Sequence, residues 1–298
     1  MAGKNALSVY RPAVDNMQGV AKVGLIAGGG QLPHDVIAGA QEMDVPLFVA
    51  RLKGFTNTDD FVDGTPEFGL AAFGKLVKAL RAEKCSHICF AGIVDRPDFK
   101  SLKPDAEALK RLPGAIKAAA KGDDALLSYL IAQFEGEGFG VIAPQSLSAS
   151  SLMTSGELGA IKPTGAHQAD IDKALEVARQ IGALDIGQGA VVCDGLVLAV
   201  EAQEGTDAML ERVAALNTDI RGTAKARAGV LAKCPKPDQE MRVDLPTIGV
   251  DTVERAAKAG LAGIVLIEGQ AFVLNKDEVR KTADKLGLFV FGQTLETS

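Results

Sequence analysis

The sequence predicts an α/β protein in two parts, a parallel-sheet domain followed by a mixed α/β domain. Apolar runs at Val23–Ala27, 47–50, His87–Ala91 and 140–143 alternate with helix-length amphipathic intervals such as 73–83 and 124–135. That is the pattern of strands buried on both faces and joined by helices. The second half reads differently. Runs at 190–193 and 196–201 flank Asp194-Gly195, a strong hairpin signal.

The remaining elements follow in order. The first strand runs into Gly28-Gly29-Gly30-Gln31-Leu32-Pro33, and a helix pattern begins at Asp35. Beyond the hairpin, helical patterns occupy 207–216 and 252–259, with strands expected at 229–233, Gly263–Ile267 and 288–291. Between the halves, 145–165 is rich in Ser, Thr and Gly and is bracketed by Pro144 and Pro163. We place the domain boundary there, near Ser151. The expected parts are a flexible extension over 1–21, one domain over 22–150 and a second over 151–298. At about 150 residues per domain, a chain of 298 residues fits this division.

Composition narrows the function. Trp is absent and only 2 Tyr occur, so a base-stacking nucleic-acid platform lacks its aromatics. The formal net charge is −6, which disfavours a duplex binder. The charge is unevenly spread. Residues 75–121 hold 11 basic and 5 acidic side chains, and 221–246 hold 6 and 3. Localised cations suit a small diphosphate, and the first stretch could also face anionic lipid head groups. Cys85, Cys89, Cys193 and Cys234 form no CxxC pair; they read as small buried hydrophobes in a reducing compartment. Residues 1–19 lack the apolar core of a secretory signal, and no apolar run approaches the ~18 residues of a membrane span. A cytoplasmic protein is expected.

Glycines at a strand-to-helix turn permit close backbone approach and an anion at the helix N-terminus. A tight turn without a ligand is equally open. Pro33 stands where a dinucleotide fingerprint needs its third glycine, and Ala50-Arg51-Leu52 where it needs an acid. Only Arg51 favours an NADP-type oxidoreductase. Asp123 and Asp124 open a helix, either as caps or as oxygen ligands for Mg²⁺. Glu201, Glu204, Thr206 and Asp207 crowd behind a strand end. The densest segment runs from Lys233 through Lys236, Asp238, Gln239, Glu240 and Arg242 to Asp244. Prolines 235 and 237 make it an ordered loop rather than a helix. A solvated surface loop is the plain reading; cations beside a carboxylate are also what phosphoryl transfer uses. His87 falls within a strand as a packed residue, and neither G-x-S-x-G nor H-E-x-x-H occurs. What remains is metal-assisted chemistry on a phosphate.

Several segments together match one pattern: Gly24–Gly30 with Leu32-Pro33, Gly122-Asp123-Asp124 with Leu126-Leu127, Val200-Glu201 with Glu204–Met209, Lys236 with Gln239 and Arg242, Asp244-Leu245-Pro246 with Gly249, and 259–263. The chain resembles the UDP-2,3-diacylglucosamine pyrophosphatases of the LpxI type, enzymes of lipid A biosynthesis in Gram-negative bacteria. The resemblance spans about 22–292 and departs at the N-terminal extension and at Asp95-Arg96-Pro97. It implies a Rossmann-like N-terminal domain and a catalytic C-terminal one. It also implies Mg²⁺-dependent hydrolysis of the substrate to UMP and 2,3-diacylglucosamine 1-phosphate, with water attacking the sugar-side phosphorus.

On that resemblance Asp244 is the essential carboxylate. Our own reading adds Lys236, Gln239 and Arg242 beside it as phosphate and sugar ligands, with Lys236 and Arg242 as catalytic cations. Gly29, Gly30, Gln31 and Gly92 are expected on the nucleotide side. Asp123, Asp124, Gln188, Thr206 and Asp207 are expected at the substrate, and Asp244 and Glu204 at the metal. The implied partners are the lipid-linked nucleotide sugar and the cytoplasmic face of the inner membrane, with no nucleic acid and with a homodimer as an open alternative. A non-catalytic sensor of a nucleotide sugar or lipid is the rival from another class. An apolar groove for the lipid tails is required and has no sequence address.

Overall fold

A computed structural model describes residues 19–95, 97–237 and 240–295. The expected extension, except for its last three residues, and Gln239 lie outside this set. The described chain divides into two compact units. One holds 19–150 together with Glu240–Asp244; the other holds 151–237 and 245–295.

The N-terminal unit contains β1 (Val23–Ala27), α1 (Leu32–Glu42), β2 (Leu47–Leu52), β3 (Glu67–Phe68), α2 (Phe73–Ala82), β4 (His87–Ala91), α3 (Ala106–Ala119), α4 (Asp123–Gly136), β5 (Gly140–Val141) and α5 (Pro144–Leu147). Its five strands are all parallel, in the order β3-β2-β1-β4-β5. Side chains alternate between two buried faces, as the continuous apolar runs require. Val23, Leu25 and Ala27 pack with Val36 and Ala40 of α1 and Leu147 of α5. On the other face, Ile26 packs with Leu76, Val77 and Leu80 of α2 and Ile131 and Phe134 of α4. The chain order reverses between β1 and β4, and in such sheets ligands bind outside the carboxyl ends of the strands at that point.

Local rules set several boundaries. The helix α1 begins at Leu32, three residues before the sequence pattern suggested, because Pro33 is favourable in a first turn. The helix α3 carries Pro113 in its interior, which removes an intrahelical donor and hides it from a periodicity reading. Asp105 offsets this loss. One carboxylate oxygen caps α3 at Ala108 N (2.8 Å), and the other accepts from Lys75 N of α2 (3.0 Å).

The C-terminal unit contains β6 (Gly156–Glu157), α6 (Gln168–Ala183), β7 (Gly189–Cys193), β8 (Leu196–Val200), α7 (Gly205–Ala214), β9 (Val230–Lys233), β10 (Thr247–Ile248), α8 (Val250–Lys258), β11 (Gly263–Ile267), β12 (Phe272–Val273), α9 (Lys276–Leu286) and β13 (Phe289–Gln293). Six strands form a mixed sheet in the order β6-β13-β11-β9-β7-β8, and β10 pairs with β12. Val191, Leu231, Ile264 and Leu266 face α7, α8 and α9. Val192, Val230, Ala232 and Val265 face α6. The β7–β8 hairpin turns at Asp194 and Gly195, both with positive φ (48° and 76°), the type I′ geometry that Asp-Gly supplies. The buried carboxylate of Asp170 accepts from both turn amides, at 2.9 and 2.7 Å. Among the described residues, no helix is long and apolar enough to cross a membrane.

Candidate functional site

In the N-terminal unit the glycine loop meets the segment after β4 backbone to backbone. Gly29 and Ile93 exchange two hydrogen bonds of 2.8 Å, and Gly28 N donates to Ala91 O. A Cβ on Gly28 would lie 2.6 Å from Ile93 O, and one on Gly29 2.6 Å from Phe55 O. Gly92, at φ +99°, would meet Gly29 O at 2.6 Å. Glycine is therefore demanded here by loop-on-loop contact, before any ligand is considered. Gln31 precedes α1 and donates from Nε2 to Asp35 Oδ1 (3.0 Å). Arg51 is buried, and its Nε and Nη2 donate to Thr65 O, each at 3.2 Å. The residue that favoured a dinucleotide phosphate thus anchors its own strand's neighbourhood.

Asp123 and Asp124 open α4, where the helix N-terminus favours carboxylates. Neither is the cap the sequence suggested, because Gly122 holds that position and no side chain caps the helix; Asp124 has another partner. Its Oδ1 accepts the backbone N–H of Glu240 at 2.8 Å. Gln145 Nε2 donates to Met241 O at 2.9 Å, and Val243 packs on the core beneath α2 and α4. The amides of Val243 and Asp244 both close back on Glu240 O. Asp244 is therefore presented, half-buried, from a turn tied down at three points.

Arg242 is committed to two carboxylates. Nε and Nη2 form a fork on Glu240 (2.9 and 2.8 Å), and Nη1 reaches Glu135 (2.9 Å). These partners hold its protonated form above the ordinary arginine range, and Arg242 in turn holds Glu240 below the usual carboxylate range.

The other expected residues belong to the C-terminal unit. Lys236 pairs with Asp185 Oδ1 at 2.5 Å. Glu204 is exposed and paired with Arg212; its own backbone amide and then Arg212 lower its carboxyl from the ordinary value. Asp207 makes an exposed pair with Arg255 (3.4 Å). The carbonyl of Gln188 accepts from Cys234 N (3.0 Å).

Among the described residues, no three His, Cys, Asp or Glu side chains gather as a ready-made metal cage. Mg²⁺ usually takes only one or two carboxylates and completes its shell with waters and substrate phosphates. A single carboxylate carried on an anchored turn, as Asp244 is, fits that mode. Glu204 fits it less well, because Arg212 competes for its oxygens.

Residues 22–151 match the family model for the LpxI N-terminal domain, and 154–291 match that for the LpxI C-terminal domain. The chain is also 56% identical over 273 residues to the UDP-2,3-diacylglucosamine pyrophosphatase LpxI of Caulobacter vibrioides, covering 91% of this chain and 97% of the relative. The chain belongs to the LpxI family.

In this LpxI chain the structure brings together residues that the sequence placed in two separate clusters. Lys233 and Glu201 are buried and bridged by Thr206, whose Oγ1 accepts from Lys233 Nζ (2.7 Å) and donates to Glu201 Oε1 (2.8 Å). Lys233 also donates to Thr247 O (3.2 Å). The three come from β9, the end of β8 and the start of α7. Their contact depends on strand order, which no local pattern carries.

Proposed function

We propose that this chain hydrolyses the pyrophosphate bond of UDP-2,3-diacylglucosamine to UMP and 2,3-diacylglucosamine 1-phosphate, a step of lipid A biosynthesis. The observation that carries this is the 56% identity to a pyrophosphatase of that name across 91% of the chain. The fixed presentation of Asp244 supports it. A water oxygen bonds to the sugar-side phosphorus, the bridging P–O bond breaks, and UMP leaves. Asp244 would hold Mg²⁺; the other expected metal ligand, Glu204, is committed to Arg212. Bound to the diphosphate, the ion would offset charge developing on the phosphate oxygens. Lys236 and the backbone amides around Gly30 and Gln31 offer positive potential to phosphate. Arg242 acts through Glu240 and Glu135 to position Asp244. Asp123, Gln188, Thr206, Asp207 and Gln239 remain candidate substrate contacts.

The membrane face is proposed on α3. Leu109 and Ile116 lie seven residues apart on one helix side, both exposed, beside Lys110 and Lys117. This arrangement supports peripheral attachment to anionic lipid. Sedimentation with phosphatidylglycerol vesicles should capture the protein, and Leu109→Asp with Ile116→Asp should release it. Sedimentation equilibrium decides between monomer and homodimer.

The primary test is release of UMP from the lipid substrate with and without Mg²⁺. Wild type should turn over only with the ion. Asp244→Ala should abolish turnover while retaining substrate binding, and retained activity would sink the assignment.

A further inference from the structure

A pair of charges interrupts an apolar face of the C-terminal sheet. Gly189 of β7 pairs with Lys233 of β9 on one side. On the other, its carbonyl accepts the amide of Glu201, the residue after β8. Lys233 lies two residues beyond Leu231, and Glu201 two beyond Ala199, so both side chains share the core face beneath α7. Only glycine fits between them, because a Cβ at 189 would lie 2.5 Å from Glu201 Oε2. The carboxylate takes the space above Gly189. Thr206, in the first turn of α7, stands between it and the ammonium.

Burying charges is costly, and apolar residues of similar volume often serve stability as well. The pair therefore calls for a role. Glu201 and Lys233 are 6% and 4% exposed, too little to meet a ligand themselves. Thr206 is half-buried and has that access. A threonine hydroxyl has one hydrogen and two lone pairs. Here the hydrogen goes to Glu201 Oε1 (2.8 Å), and one lone pair takes Lys233 Nζ (2.7 Å). Lys233 is itself aimed by Thr247 O (3.2 Å). Among the described residues Glu201 Oε2 has no donor, so no second hydrogen bond replaces Thr206 at the carboxylate. The hydroxyl is left with a single lone pair. It accepts and does not donate. An ionised phosphate oxygen, which offers only lone pairs, is the wrong neighbour for it; a hydroxyl or an amide N–H is the right one.

We infer that Glu201 and Lys233 are positioning residues that lock the Thr206 hydroxyl as an acceptor for a hydroxyl or amide N–H of the substrate. The inference rests on the proposed function for the identity of that substrate, which carries such donors on its sugars. It narrows Thr206 from a general substrate contact to recognition of a neutral polar group, away from the diphosphate.

The test is a mutant cycle on kcat/KM for UMP release by the full chain. Thr206→Val should lower it about tenfold, the loss of one hydrogen bond, and should do so through KM with kcat little changed. Glu201→Met with Lys233→Met replaces both charges together, so that neither is stranded, and should cost about the same. Adding Thr206→Val to that pair should cost nothing more. A merely structural pair would cost as much in the valine background as in wild type, and that result overturns the inference. Thr206→Ser keeps the hydroxyl and should behave as wild type. Inhibition by pyrophosphate with Mg²⁺ separates the acceptor from a phosphate ligand. Its inhibition constant should be unchanged in Thr206→Val, and a rise of about tenfold overturns the acceptor role. Circular dichroism checks that each variant folds. NMR of wild type labelled at threonine reads the lock without any variant of the charged pair or any turnover. The Thr206 hydroxyl proton, assigned by its loss in Thr206→Val, should exchange slowly enough to be observed, and its absence overturns the lock. If wild type releases no UMP while that resonance is present, the proposed reaction fails and the lock stands.

Discussion

The side-chain Oδ1 of Asp124 accepts the backbone N–H of Glu240 at 2.8 Å, joining positions 116 residues apart. A residue that looks like an ordinary helix cap thus fixes the turn from which Asp244 projects. Charge–amide hydrogen bonds are stronger than neutral ones, so this contact is a principal anchor of the turn, together with Gln145 on Met241 and Glu135 on Arg242.

Asp124→Ala should therefore loosen residues 240–244 and lower kcat by about 10- to 100-fold, the scale of a small misplacement at a reacting centre. Asp124→Asn keeps an acceptor oxygen and should recover most of the loss. Amide hydrogen exchange at Glu240 separates this from a global effect: protection should fall there in the alanine variant while the β1 amides keep theirs.

Acid should act on the same turn. Arg242 hydrogen bonds hold the Glu240 carboxyl below its ordinary value. The folded pKa lies below the unfolded one, about 4.3. The stabilisation is complete above that value and is lost as pH falls through the lowered folded pKa. Both groups are half-buried and still reach solvent, so the contribution is on the order of 1 kcal/mol. Melting temperatures from pH 7 to 3 should fall less steeply for Arg242→Gln than for wild type; parallel curves would contradict this.

Thr206→Val should separate two buried charges. It removes the hydroxyl that accepts from Lys233 and donates to Glu201. Losing a satisfied buried hydrogen-bonding group costs about 1–3 kcal/mol. Urea unfolding should report that loss, and Thr206→Ser should restore it. A variant as stable as wild type would mean that water replaces the hydroxyl.

The thiols should be inert in the native state. All four cysteines are buried, and burial pushes Cys193 up to about 11 and Cys234 up to about 12. The thiolate is the reactive form. Ellman's reagent at pH 8 should show no fast phase until denaturant is added, whereupon four equivalents should react.

Legibility followed burial. The strands β1, β4 and β11 coincide at both ends with their apolar runs, because strands covered on both faces need apolar side chains at every position. The helices α3, α6 and α9 carried no such signal. Pro113 interrupts α3, and α9 buries only Val279 and Ala283 in an otherwise charged sequence. The glycine loop was visible, although the backbone of Ile93 and Phe55 already accounts for two of its glycines. The pairing of Lys233 with Thr206 required the order of six strands, a property of the whole sheet.

The assignment of Glu240–Asp244 to the N-terminal unit, between stretches that belong to the other, bears on modularity. Among the described residues the polypeptide passes from one unit to the other at 150/151, between 237 and 240, and at 244/245. A fragment ending at residue 150 would leave Asp124 and Gln145 without their backbone partners. A fragment starting at 151 would carry residues 240–244 without the Asp124 carboxylate and the Gln145 amide that hold them. Split expression at the obvious boundary would therefore divide one working part between two polypeptides.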